Sequence, residues 1–382
     1  MNDSAVPPSP PASPNEQLAQ LLGFLEHDPD NLPLLADCAK AAFEANKPEQ
    51  ARALIDRFSA LAEMPPGLVT LRGLVAQQEG DFATASEVFG GQLAAGQTNP
   101  HLRFNLAWAK AMLGEREEAA ALLDDEVVAA NPRGGTLKVQ MPHYLGDLDA
   151  TLAEGQRLAA ICPQNQAMLG ALAVVAFDAE DAALAARFAE ASPNSYDGMS
   201  TGGMLKLAGQ DVDGALDLFE RALGMWSEQP RALLGKGLAL LLRGQSKEAA
   251  AILEKAATLF GSHLGSWVAA GWGHYTAGDR KAARRCFAKS LVLDDTFAES
   301  HGALAVLDIA EGHFDRARRG AQVAMRLDRK CLSGALATSL LAEHDQNPAL
   351  AQKIRDRALA LPVGPNGETI AQALIGFGGK QH

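Results

Sequence analysis

The chain has 382 residues, a formal net charge of −12, and 47% hydrophobic but only 5% aromatic residues. Such an acidic balance argues against a general nucleic-acid binder, and the scarcity of β-branched and aromatic alternation argues against a sheet. No apolar run reaches membrane-span length; the stretch LALLLRG from Leu238 is too short.

In chain order, residues 1–15 are rich in proline and serine and carry neither a basic region nor an apolar run. They read as a disordered tail and not as a secretory signal. From there a period takes over. Ala51, Ala85 and Ala119 stand 34 residues apart, and the track continues through Thr151, Ala185, Ala215, Ala249, Ala283, Ala317 and Ala351. A companion track runs Asn46, Gly80, Gly114, Gly146, Gly209, Gly244, Gly278 and Gly312. Glycine, with asparagine as its usual substitute, marks the left-handed end of a helix. The alanine about five residues later falls inside a second helix. A period of this size implies stacked helical hairpins.

Two stretches break the register. Between Ala119 and Thr151, residues 131–147 place Pro142 where a first helix should be in mid-course, which predicts a short or broken helix. Between Ala185 and Ala215 the step shrinks to 30 residues, so a clipped hairpin or tighter turn is expected near residues 186–203.

The clearest unit is residues 265–295. Trp267, Ala270, Gly271 and His274 share one helical face, and after the Gly278–Asp279 turn Ala283, Phe287 and Ser290 share another. Small Gly271 and Ala283 beside large Trp267 and Phe287 are what a close helix pair needs. This pattern resembles the tetratricopeptide repeat family, whose motif is W-x2-L-G-x2-Y, then A-x3-F, then P. Trp267, Gly271, Ala283 and Phe287 match it; Ala270 stands for the Leu and His274 for the Tyr, with Tyr275 beside it. Weaker copies keep Gly73, Ala85 and Phe89, then Gly203, Ala215 and Phe219, then Gly237, Ala249 and Leu253. The resemblance implies an all-α, right-handed superhelical solenoid of about ten antiparallel hairpins over residues 16–362. Residues 363–382 lose the pattern and read as a C-terminal capping segment.

The resemblance also implies a concave groove lined by first helices. Carried onto this chain, its lining would be Phe104, Asn105, Trp108 and Met112, then Leu238 and Leu241, then Val268, Trp272 and Tyr275, then Val306 and Ile309. Such an apolar wall suits an amphipathic or hydrophobic segment of a partner protein. The family's carboxylate clamp is present only in scraps at Thr70, Leu74, Asn105 and Arg231.

Charge is uneven. Residues 1–190 hold 12 Lys/Arg against 26 Asp/Glu, a net −14, and residues 191–382 hold 22 against 20, a net +2. Arg280, Lys281, Arg284, Arg285 and Lys289 form a cationic ridge, read as a solvated face or as a docking surface for an acidic partner. Cys38, Cys162, Cys286 and Cys331 have no paired spacing, which fits a reducing compartment and a cytoplasmic location. The Ala- and Gly-rich style is that of a bacterial protein.

Chemistry is thinly signalled. Gly198-Met-Ser200-Thr-Gly202 matches a hydrolase nucleophile elbow, but that motif needs a preceding strand, and the alanine register puts Ser200 on a helix. The nine histidines are scattered without metal-ligand spacing. Gly376–Lys380 resembles half a phosphate loop but lacks the full spacing, the Ser/Thr after the lysine and a preceding strand, and is discarded. The reading is a non-catalytic scaffold, adaptor or chaperone needing no cofactor. The alternative is a ligand-sensing solenoid hinged at its phase breaks; a serine hydrolase at Ser200 comes last.

Overall fold

The computed structural model describes residues 13–144 and 148–360. Among these residues there are 22 helices and no strand. In chain order they are α1 (Pro14–His27), α2 (Leu32–Glu44), α3 (Pro48–Leu61), α4 (Pro66–Glu79), α5 (Phe82–Ala94), α6 (Pro100–Met112), α7 (Arg116–Leu122), α8 (Asp125–Ala130), α9 (Pro132–Tyr144), α10 (Leu148–Ile161) and α11 (Gln166–Asp178). The remainder are α12 (Ala182–Ala191), α13 (Tyr196–Ala208), α14 (Val212–Met225), α15 (Pro230–Leu242), α16 (Ser246–Phe260), α17 (Leu264–Thr276), α18 (Arg280–Leu293), α19 (Ala298–Ala310), α20 (Phe314–Leu327), α21 (Leu332–His344) and α22 (Pro348–Leu359).

Two compact units divide the chain, Met1–Gly146 and Asp147–His382. In the first, α1 packs on α2, the pairs α2–α3 and α4–α5 form hairpins, α6 pairs with α7, and α9 packs on α7 and α8. In the second, α10 packs on α11, and six hairpins run from α11–α12 to α21–α22. The expected all-α stack of antiparallel hairpins is therefore present.

The turn explains the period. At Gly80, Gly244, Gly278 and Gly312 the backbone is left-handed, with φ between 74 and 85°. The next amide along the chain reaches back to close the first helix: Asp81 N donates to Ala76 O at 2.8 Å and Asp279 N to His274 O at 2.9 Å. The same aspartates then start the second helix, their carboxylates accepting from the amides of Thr84 and Ala282. One left-handed residue and one capping residue thus suffice to reverse the chain. Asn46, Glu180, Gln210 and Gln346 occupy the same turn with φ near 60°. Gly146 lies outside the described residues; among those described the track corrects at one place, where Gly209 has φ −78° and its neighbour Gln210 makes the left-handed turn. Gln210, not Gly209, stands five residues before Ala215, so the spacing decides the conformation even against the residue better suited to it.

Packing follows the small-against-large rule. A Cβ built on Gly73 would meet the Phe89 ring at 2.6 Å, on Gly203 the Phe219 ring at 2.5 Å, on Gly271 the Phe287 ring at 2.3 Å, and on Gly237 the Leu253 side chain at 2.5 Å. All four large residues are fully buried, as are Ala85, Ala215, Ala249 and Ala283. Each such ring removed from water is worth about 1.5–3 kcal/mol.

The irregular stretches differ from expectation in one case. Helix α9 runs unbroken through Pro142; the proline lies in the last turn, so the helix is nearly complete before the missing donor matters. The interruption falls one helix earlier. Asp124 accepts from Val127 N and starts a new helix, splitting the second helix of that hairpin into α7 and α8. In the other case the loss sits in α12, which has 10 residues where α14 has 14. Residues 14 and 15, assigned to the tail from sequence, open α1: Ser13 and Glu16 form a reciprocal capping box. The expected cap at 363–382 and the Gly376–Lys380 stretch lie outside the described residues.

Candidate interaction surfaces

In the first unit, α6 carries the residues expected to line a groove. Phe104 is buried, its ring 6.3 Å from that of Trp108. Asn105 is half-buried, and its carbonyl accepts from Gln77 Nε2 at 2.8 Å. Trp108 is 37% exposed and Met112 52% exposed. They sit four residues apart on one face. Leu113, 43% exposed, extends the patch. Sequence reasoning missed Leu113 because it lies just past the last periodic position of the helix.

In the second unit the lining is mostly interior. Val268 and Val306 are buried. Trp272 is wedged edge-on between the rings of Phe287 at 5.4 Å and Tyr275 at 5.5 Å, against the cluster of Val268, Ala303 and Leu307. Leu238 and Leu241 are half-buried on the core around Leu253, and Ile309 on the core around Ala317. These side chains join successive hairpins. The open apolar position on α15 is Leu242, 49% exposed and again one residue beyond the expected ones.

The clamp positions are spent. Thr70 receives a bond from Gln92 Nε2 at 2.9 Å, and Arg231 grips Asp178 through two bonds of 3.1 and 3.0 Å. The cationic ridge divides. Arg284 binds Asp308 at 2.6 Å and Glu311 at 2.5 Å, while Arg285 binds Glu254 at 2.7 Å. Arg280, Lys281 and Lys289 are exposed. Two of the five charges are thus already neutralised within the array.

Two clusters bring together residue types that bind metals: Glu254, His274 and Cys286, and Asp308, Glu311 and His313. In the first, Glu254 already accepts from Arg285 and contacts His274 Nε2 at 2.7 Å. Burial works against its charge, but Arg285 and His274 outweigh burial and hold the carboxyl below the usual range. Burial, then the charge of Glu254, pushes the Cys286 thiol up to about 11, so it is protonated at neutral pH. In the second cluster Asp308 is buried and bound by both Arg284 and Arg316. Burial alone would raise its pKa; the bonds from Arg316 and Arg284 prevail and lower it. Both clusters are built as ion-pair networks whose carboxylates face guanidinium groups.

Ser200 lies on α13 and is fully buried, its hydroxyl donating to Tyr196 O at 2.6 Å. The elbow motif needs a strained strand-to-helix turn with an exposed Oγ. Here the same letters sit in mid-helix, where the glycines allow close packing instead: a Cβ on Gly198 would meet Ser192 Oγ at 2.2 Å.

These stacked hairpins define the molecule as an α-solenoid of short helical repeats. Models of the tetratricopeptide repeat match residues 201–263 and residues 100–125, so the chain carries tetratricopeptide repeats there. No curated protein matches it in sequence. Among solved structures, the human IFIT1 dimer with PPP-AAAA aligns over 91% of this chain and 93% of its own, at 15% identity and a TM-score of 0.51. MamA from Desulfovibrio magneticus RS-1 aligns over 43% of this chain and 95% of its own, at 17% identity and a TM-score of 0.37. The IFIT1 likeness concerns the fold alone. No described helix is long and apolar enough to cross a membrane.

Proposed function

We propose that this protein is a non-catalytic scaffold that holds a partner polypeptide against the first helices of its hairpins. The observation that carries the reading is the exposed Trp108–Met112–Leu113 patch on a first helix of a tetratricopeptide array. A tryptophan left open on a helix face supplies stiff anchoring area, and the methionine beside it an adaptable apolar contact. An apolar or amphipathic segment of a partner is the matching chemistry. IFIT1 was solved with PPP-AAAA; the net charge of −12 here works against the same ligand class.

The test is affinity capture from the native host with three baits: the unaltered chain, a Trp108→Ala, Met112→Ser double variant, and an Arg280→Glu, Lys281→Glu variant. Partners should be lost from the first variant and kept by the second. Undiminished capture by the Trp108/Met112 variant would refute the patch as the anchor.

A further inference from the structure

The last two hairpins contain a groove of different chemistry from the apolar patch. Its floor is Met325 from α20, Ala335 and Thr338 from α21, and Ile354 and Ala358 from α22. Its rim carries Arg329 and Lys330 on one side and Arg357 on the other. The repeat supplies a comparison. Counted from the alanine track, Ala335, Thr338, Ile354 and Arg357 correspond to Met199, Gly202, Leu218 and Arg221, which line an equivalent groove over α12, α13 and α14. There the charges balance: Glu190 stands on the rim, Lys206 is paired with Asp211 at 2.7 Å, and Arg221 with Asp217 at 3.5 Å. In the later groove all three rim charges are positive and exposed, and none has an ion-pair partner among the described residues. Arg318, Arg316 and Arg355 on the same helices do have partners, in Asp345, Asp308 and Glu343. Arg319 and Arg326 of α20 are likewise exposed without an ion-pair partner among the described residues; what sets Arg329, Lys330 and Arg357 apart is that all three line one groove.

We infer that the groove over α20, α21 and α22 is a second docking site, for an acidic amphipathic segment of a partner protein whose apolar side chains enter the floor and whose carboxylates meet Arg329, Lys330 and Arg357. Opposite charges on both walls would fix register and speed encounter, while the apolar floor supplies the area. The chain's own residues 361–382 are a poor charge match, since they carry one Glu and one Lys.

The experiment is fluorescence anisotropy on the full chain with a labelled 16-residue peptide of Glu and Leu at helical spacing. A Lys/Leu peptide and a single-stranded oligonucleotide serve as alternative probes. The Glu/Leu probe should bind, weaken as salt rises, and weaken at least 10-fold in an Arg329→Glu, Lys330→Glu, Arg357→Glu variant with an unchanged melting curve. Arg221→Glu, in the equivalent groove, should leave binding intact. Equal binding by the triple variant, or Lys/Leu or oligonucleotide binding as tight as Glu/Leu, would overturn the proposal. Displacement of the probe by a synthetic 361–382 peptide would overturn it in favour of the chain's own end. Self-association abolished by the triple variant would assign the groove to a second copy.

Discussion

The steps from α15 to α17 and from α19 to α21 use the same hairpin yet space their first helices differently. Between α19 and α21 the helices are in broad contact; between α15 and α17 they barely touch. The cause is side-chain size. A Cβ on Gly302 of α19 would meet Gly334 N at 2.3 Å and Ser333 C at 2.6 Å, so here backbone meets backbone. The α15–α17 step presents Leu234, Leu238, Leu241 and Trp267 instead. One repeat thus yields a sealed step or an open one according to whether glycine or leucine occupies the first helix.

The sharpest way to break this comparison is Gly302→Ala. The added methyl would press on backbone that cannot rotate away, so a loss of about 3 kcal/mol is expected in urea unfolding. An unchanged midpoint would show that the α19–α21 contact is not tight. Next comes a contrast between tryptophans. Trp272→Ala, which empties a half-buried wedge, should cost about 2–3 kcal/mol. Trp108→Ala, on open surface, should cost under about 1 kcal/mol. Similar losses for both would contradict the division into core and contact residues.

Asp308→Asn tests the ion-pair network beside the sealed step. It removes the buried carboxylate shared by Arg284 and Arg316 and leaves them only Glu311, at 2.5 and 3.8 Å, at a cost of about 1–2 kcal/mol near neutral pH. The native carboxyl titrates below its ordinary value of 3.8. Its contribution is therefore complete above that value and lost as pH falls through the lower folded pKa. Melting temperature tracked from pH 6 downward should converge between variant and parent at acid pH; a constant gap would remove Asp308 from the account. The smallest effect is Gly91→Ala. Nothing lies within 4 Å of a Cβ there, so the gain in helix preference, about 0.5–1 kcal/mol, should appear as a modest rise in stability.

The hairpin register was legible in the sequence because tight packing admits so few residues at Ala85, Ala215 and Ala283. The turn was legible for a similar reason, save where Gly209 drew attention from Gln210. The α7–α8 split was not read, although Asp124 is a good capping residue, because Pro142 is the louder signal. The contact surface was the least legible part. Periodicity identifies which face of a first helix points toward its neighbours but not how far away the next first helix stands. Trp272 and Trp108 occupy comparable faces, and only the packing around them distinguishes a wedge from an anchor.

The shortened α12 has a consequence for how such arrays tolerate change. Four residues make slightly more than one helical turn, so their removal shortens the rod by about 6 Å yet rotates the downstream residues by only about 40°. The loss falls after Ala185 and Phe188, which keep their buried places, so only the end of the rod is affected. Losing two residues instead would swing the next side chains to the far side of the rod. Insertions and deletions in this chain should therefore be survivable in whole turns or whole hairpins, and damaging at lengths in between.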